Sequence, residues 1–242
     1  MRFAIVISAA LLAACATETT PATRPGRLTA RPRTRVSAAP ERGEANLGVG
    51  GARDGRIYVP RQTRDKYPVM FLLHGAGGVG ERIERRLQEL ADGFGFIIVA
   101  PDSRGRTWDV IMNGKLGPDI DFIDRVLASV FARYPIDAAH VAVAGFSDGA
   151  TYALTLGVMN GDLFTHIIAF SPGFIAATYR QGLPPIFISH GTEDEILSVE
   201  RTGTVLVPGL RRNGYRVEYR EFEGPHTIPP EVAREAMEWW LE

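Results

Sequence analysis

The chain has 242 residues, a formal net charge of -1 and 45% hydrophobic residues. That apolar share suits one globular α/β domain with a full core, and the near-neutral balance argues against nucleic acid as a partner. A single cysteine, Cys15, excludes an intramolecular disulfide.

Residues 1–14 read as a secretory signal peptide: Arg2 supplies the positive start, and the apolar run that follows is too short to span a bilayer. The run ends in Leu12-Ala13-Ala14-Cys15, which resembles a bacterial lipobox. In lipoproteins with that motif the cysteine is lipidated and the signal is cut just before it. The expectation is a mature chain starting at Cys15 and anchored to the cell envelope by several acyl chains. The alternative is a plain secretory signal and a secreted protein. Residues 15–45 are rich in Thr, Pro, Arg, Ala and Gly, with almost no large apolar side chain. Such a stretch is expected to be a flexible tether, with Arg24, Arg27, Arg31, Arg33 and Arg35 solvated.

From residue 46 the pattern is that of a folded body. Residues 46–50 and 56–60 read as two short strands of an opening hairpin. Residues 69–74 (VMFLLH) are continuously apolar, as in a strand buried on both faces, and run into Gly75-Ala76-Gly77-Gly78. Residues 81–93 have helical spacing, 96–100 (FIIVA) form the next buried strand, and 102–118 read as a loop. An amphipathic helix follows over 119–134, stopped by Pro135. Strands are expected over 141–145, 167–170, 186–190 and 216–222, with helices over 149–159, 199–212 and 230–241. Pro208-Gly209 is expected to kink the second of these helices. Alternating strands and helices imply a mostly parallel sheet covered on both faces, with ligands at the carboxyl ends of its strands.

The chemistry-bearing stretch is Val141 to Gly149, VAVAGFSDG. It reads as strand, sharp turn and helix, with Ser147 at the tip in the pattern Gly-x-Ser-x-Gly. A serine hydroxyl is a poor nucleophile at neutral pH, so it needs a base within reach and a third group to orient that base. On a strand–turn–helix elbow these follow as an acid and then a histidine. Of the five histidines only His226 lies beyond every acid that qualifies, in a loop between the last strand and the last helix. His74 and His190 close strands and are expected to hold loops; His140 and His166 precede strands. Asp194 is the favoured acid, with Glu193 and Glu195 as flanking rivals; Asp162 reads as a turn residue. An oxyanion would need the backbone N–H of Asp148 and a second from the Gly75–Gly78 segment, with Ala76 ahead of Gly77. That glycine run lacks the Lys-Ser/Thr ending of a phosphate-binding loop.

Together LLHGAGG, GFSDGA, HGTEDEIL and GPHTIPPE resemble the α/β-hydrolase superfamily, nearest the phospholipase/carboxylesterase group and the dienelactone-hydrolase-like and polymer-depolymerase-like esterases. The resemblance covers residues 46–242 as a single α/β-hydrolase domain. It implies a catalytic triad of Ser147, Asp194 and His226. Asp148 stands where many relatives carry Gln or Asn, and its carboxylate is expected to disfavour anionic substrates. No insertion is long enough for a large lid, which argues against a lipase for long-chain fats.

The expected activity is hydrolysis of short or medium acyl esters through an acyl-enzyme, with no cofactor. No metal is expected, since no H-E-x-x-H pattern occurs. Trp108 and Phe174 are candidate walls of the substrate cleft. Two other readings stand beside it: a serine peptidase of the same fold, and a non-catalytic envelope binding protein on a hydrolase scaffold.

Overall fold

The computed structural model describes residues 24–33 and 41–242. Residues 1–14 and Cys15 lie outside the described residues, as do the rest of the N-terminal stretch through 23 and residues 34–40. Eight strands form one sheet: β1 (Gly43–Asn46), β2 (Gly55–Val59), β3 (Tyr67–Leu73), β4 (Ile97–Pro101), β5 (Ile136–Phe146), β6 (His166–Phe170), β7 (Ile186–Gly191) and β8 (Val217–Phe222). Their spatial order is β1-β2-β4-β3-β5-β6-β7-β8. β2 runs antiparallel to β1 and β4, and every other pairing is parallel.

The period of two along each strand divides the core. Val69, Phe71 and Leu73 of β3 face one layer with Ile97, Val99, Val141 and Val143. Met70 and Leu72 face the other with Ile98, Ala100, Ala142 and Ala144. The first layer is closed by α3 (Asp109–Asn113), α4 (Pro118–Arg133), α5 (Asp148–Met159) and α7 (Val207–Arg212). The second is closed by α1 (Gly80–Arg85), α2 (Gln88–Phe94) and α8 (Pro230–Leu241). Among the described residues no segment builds a lid over the carboxyl edge of the sheet.

The architecture agrees with the sequence reading, with local differences. The first strand pairs over Gly43–Asn46, earlier than residues 46–50. The helix expected over 81–93 is two helices, broken at Leu87, whose φ of -114° and ψ of 4° leave the helical region while its side chain stays buried. Within the 102–118 loop, α3 forms one short turn. Ahead of Pro208 the chain loosens into a π-helical turn at Thr202–Leu206 that follows the short α6 (Val199–Arg201). A proline has no N–H to close the regular ladder, so the irregularity falls on its N-terminal side.

The largest correction concerns the expected tether, of which residues 24–33 are docked on the body. Leu28 is 0% exposed and belongs to the first core layer. Its backbone N–H donates to Asn160 Oδ1 at 2.9 Å, and Asn160 Nδ2 donates to Gly26 O at 2.9 Å. Thr29 and Ala30 donate backbone N–H groups to Asp124 on α4. Arg27 and Arg31, expected to be solvated, both bind the Asp162 carboxylate. The Arg27 hydrogen bond, aided by Arg31, holds the Asp162 carboxyl well below the usual carboxylate range against the opposing effect of its partial burial. Polar composition misleads here because one apolar side chain and three receptive polar groups suffice to order a short strap.

Leu28→Ala should therefore lower stability by roughly 2–5 kcal/mol, the usual range for emptying a buried leucine site. Urea unfolding midpoints measure this, and an unchanged midpoint would mean the strap contributes nothing.

Candidate active site

β5 ends at Phe146 and α5 begins at Asp148, leaving Ser147 alone to make the turn. Ser147 has φ 58° and ψ -120°, a conformation that side-chain-bearing residues rarely adopt. The flanking glycines make it possible. A Cβ on Gly145 would lie 2.2 Å from Gly149 O, and one on Gly149 would lie 2.1 Å from Leu73 O. Ser147 N–H is fixed to Phe170 O on β6 at 2.9 Å, and Thr151 N–H closes the first helical turn on Ser147 O at 3.0 Å. The serine sits at the carboxyl edge of the sheet and is 8% exposed.

The turn after β7 brings in the acid. Thr192 N–H donates to Phe222 O and Glu193 N–H to Gly224 O, so this turn is knitted to the loop that carries His226. Asp194 Oδ2 lies 2.6 Å from His226 Nδ1, and the Asp194 side chain is 0% exposed. Its Oδ1 accepts N–H groups from Ile196 at 2.9 Å and Leu197 at 2.8 Å. Burial alone would raise the Asp194 pKa. The Leu197 and Ile196 N–H groups and the imidazole together outweigh that and hold it below the usual carboxylate value. Glu193 and Glu195 are exposed, and of the three acids it is Asp194 that bonds His226. The His226 ring packs on Phe146, centroid to centroid 4.6 Å, one residue before the serine. Ser147 Oγ makes no hydrogen bond to His226 in this structure.

The glycine segment after β3 lies alongside: a Cβ on Gly75 would stand 3.2 Å from Ser147 Cβ. Gly77 N–H donates to Arg106 O and Gly78 N–H to Gly75 O. Among the described residues, the N–H groups of Ala76 and Asp148 have no protein acceptor, so the choice of Ala76 over Gly77 agrees with the hydrogen bonding. Ala76, Gly75, Phe146 and His226 line one cavity of about 190 Å³. A larger groove of about 710 Å³ between α2 and α8 has neither Ser147 nor His226 in its wall.

His74 and His190 hold loops, while His140, inside β5, and His166, the first residue of β6, lie in strands rather than before them. His74 accepts from Ser103 N–H at Nε2 (3.0 Å) and bonds Gly75 O through Nδ1 (2.7 Å), which makes Nδ1 the protonated nitrogen. Burial lowers its pKa and keeps it neutral. His190, 0% exposed, bonds Leu197 O through Nε2 at 2.9 Å and lies 3.1 Å from Asp194 Oδ2, bracing the acid from behind.

Trp108 does not line a cleft. It is 0% exposed, stacked on Tyr152 at 5.1 Å and against His74 at 5.0 Å. Its indole N–H donates to His74 O at 2.8 Å, so it supports the glycine segment from inside the protein. A tryptophan in a glycine- and asparagine-rich loop reads as exposed. Here the loop is pulled inward because Asp109 and Asp119 accept its backbone N–H groups and Tyr152 donates to Asp109 at 3.0 Å. Phe174 is 39% exposed, on a separate groove of about 370 Å³ that neither Ser147 nor His226 lines. Thr107 was not foreseen: its hydroxyl donates to Asp148 Oδ2 at 2.7 Å and ties down the carboxylate next to the serine.

Comparison with known proteins follows the same lines. The Phospholipase/Carboxylesterase family matches residues 120–239, and the Esterase family matches residues 48–179, more than half of the chain. A bifunctional acetylxylan esterase/xylanase from Neocallimastix patriciarum is 28% identical over 180 residues, covering 70% of this chain. The chain spans only 25% of that relative's length and 40% of a second curated relative's. Among solved structures, an S-formylglutathione hydrolase from Staphylococcus aureus superposes with a TM-score of 0.68 at 15% identity, covering 85% of this chain and 100% of its own. A phospholipase/carboxylesterase from Dyadobacter fermentans gives a TM-score of 0.61 at 25% identity, covering 81% and 100%. With the elbow, the parallel sheet and the family match agreeing, the chain belongs to the esterase family and has the α/β-hydrolase fold.

Proposed function

We propose that the chain is a serine carboxylic-ester hydrolase that acts on short or medium acyl esters through an acyl-enzyme. The observation that carries this reading is the buried Asp194 carboxylate hydrogen-bonded to His226 beside a serine held in a strained turn. Asp194 fixes the proton on His226 Nδ1, so Nε2 is the free base. On substrate binding the Ser147 hydroxyl hydrogen-bonds Nε2; catalytic contacts of this kind commonly tighten only in the complex. Ser147 Oγ attacks the ester carbonyl carbon as its proton passes to His226. The N–H groups of Ala76 and Asp148 receive the developing oxyanion. His226 then protonates the departing alcohol, and water repeats the sequence to release the acid.

Cavity size supports the short-acyl preference. Pockets for drug-sized ligands run roughly 300–1,000 Å³, whereas the space beside His226 is about 190 Å³. We also place the protein on the cell envelope, held by lipid at Cys15, on the strength of the Leu-Ala-Ala-Cys sequence.

Replacing Ser147 by Ala should lower kcat on a 4-nitrophenyl acyl ester by on the order of 10⁴–10⁶-fold and abolish covalent labelling by a fluorophosphonate. Retained activity would refute the nucleophile assignment, and faster cleavage of peptide amides than of esters would make the chain a peptidase. Asp194→Asn should lower kcat on the order of 10³–10⁴-fold. Its effect on stability depends on pH. A depressed carboxyl pKa stabilises the fold above the ordinary carboxylate range, and that contribution is lost as pH falls through the folded-state value. The gap in urea midpoint between wild type and Asp194→Asn should be constant from about pH 6 to 8 and shrink below about pH 4. Cys15→Ala should move the full-length protein from the membrane fraction to the soluble fraction of its bacterial host; an unchanged distribution counts against lipid anchoring.

A further inference from the structure

Beyond the histidine and the glycine segment, the wall of the 190 Å³ cavity is formed by α1 and the residue that follows it. Arg82 and Arg86 stand there four residues apart, hence on one side of the helical turn, and Val79 and Ile83 line the same cavity. The intervening Arg85 points elsewhere and pairs with Glu81 and Glu44. Among the described residues, neither Arg82 nor Arg86 has a carboxylate within ion-pair distance, and neither guanidinium donates a hydrogen bond to protein. No carboxylate lines this cavity. Asp148, whose charge was expected to repel anions, is held by Thr107 and is absent from the cavity wall. Arg86 also borders the α2–α8 groove, where Glu89, Glu231 and Glu235 lie, yet it forms no ion pair with them.

Two uncompensated guanidinium groups in the wall of a small cavity that His226 also lines give that cavity a positive side. Each presents a planar fork matched to a carboxylate. We infer that Arg82 and Arg86 form a carboxylate-recognition subsite, and that the esters this chain prefers carry a second, free carboxylate beyond the scissile bond. This inference rests on the esterase reading above, which it refines by naming the substrate class. The apolar Val79 and Ile83 would receive the short chain linking the ester to the carboxylate.

The test compares the 4-nitrophenyl monoester of hexanedioic acid with its neutral amide-ended counterpart, and 4-acetoxybenzoate with 4-acetoxybenzamide. The first pair places the charge on the acyl side and the second on the alcohol side. At low salt, kcat/KM should favour the charged member of at least one pair by roughly tenfold, the upper range for two exposed charge contacts. The preference should shrink as ionic strength rises. In R82Q/R86Q the charged-to-neutral ratio should fall to about one, and in R82E/R86E it should invert; using a ratio cancels any general loss of activity or folding. A ratio near one in the wild type for both pairs, or a preference that survives R82Q/R86Q, overturns the subsite. Hexanedioate binding measured by calorimetry gives a readout independent of turnover, and equal affinity in wild type and R82Q/R86Q likewise overturns it. Ser147→Ala separates the two readings. If it abolishes cleavage of both members while the ratio is flat, the esterase stands and only the subsite falls.

Discussion

The backbone at residue 147 has room for its left-handed turn only because residues 145 and 149 carry no side chains, and much of the site follows from that constraint. Gly149 lets the first turn of α5 press against the last carbonyls of β3, with space for nothing larger than hydrogen at the contact. The same approach brings Ser147 against Gly75, so the glycine segment after β3 cannot be anywhere except beside the serine. Strain in the turn, of order 1–3 kcal/mol, is held by the Phe170 carbonyl on one side and by the packed helix on the other. The positions of Ser147 and of the free Ala76 and Asp148 N–H groups are thus consequences of one close packing between a helix and a strand.

Three carboxylates show how environment assigns different work to one functional group. Asp194 is buried, yet two backbone N–H groups and the imidazole keep it charged, which is what orienting a base requires. Asp148 is tied by a threonine hydroxyl into the loop after β4 and so helps position its own backbone N–H. Asp119 is buried beside Asp109; burial raises its pKa despite the N–H groups of Arg104 and Asp109. Its task is to fold the 102–117 loop inward, which carries Trp108 under the glycine segment. Only the first of these touches His226, and the other two set the frame around it.

Much of this was legible in the residues. The elbow is local: five residues specify the turn, so Ser147 and its glycines can be read without tertiary information. The strands and the two-faced sheet follow from apolar runs such as 69–74 and 96–100. Asp194 and His226 are distant in sequence, but chain order narrows the choice, and the structure joins them by a backbone seam between the β7 turn and Gly224. What escaped depends on long-range partners. The strap at 24–33 has the composition of a tether, and the burial of Leu28 together with Asp124, Asn160 and Asp162 makes it ordered. Trp108 looks like a loop aromatic until the Asp109–Tyr152 contact draws it inside. The break at Leu87 is invisible to periodicity because the residue stays buried through the kink.

That break has a consequence for the site. A continuous helix over 81–93 would carry its residues along one straight axis, whereas α1 ends at Arg85 and α2 leaves in a new direction from Leu87. Arg86, at the joint, thereby borders the cavity of His226 on one side and the α2–α8 groove on the other. Leu87 secures the joint by staying in the core, and Glu84, fully buried one turn earlier, accepts from Gln88 across it. The rigid part of the helix pair is therefore the part beneath the surface, and the two cavity-lining arginines are its exposed outer face. The placing of Ser147 is set by glycine contacts inside the sheet edge, while the charge beside His226 is set at a break in a surface helix. α1 is itself seated on the sheet, with Ile83 in the second core layer and Gly80 N–H donating to Asp102, so one sheet holds both the glycine contacts and the helix that carries the charge.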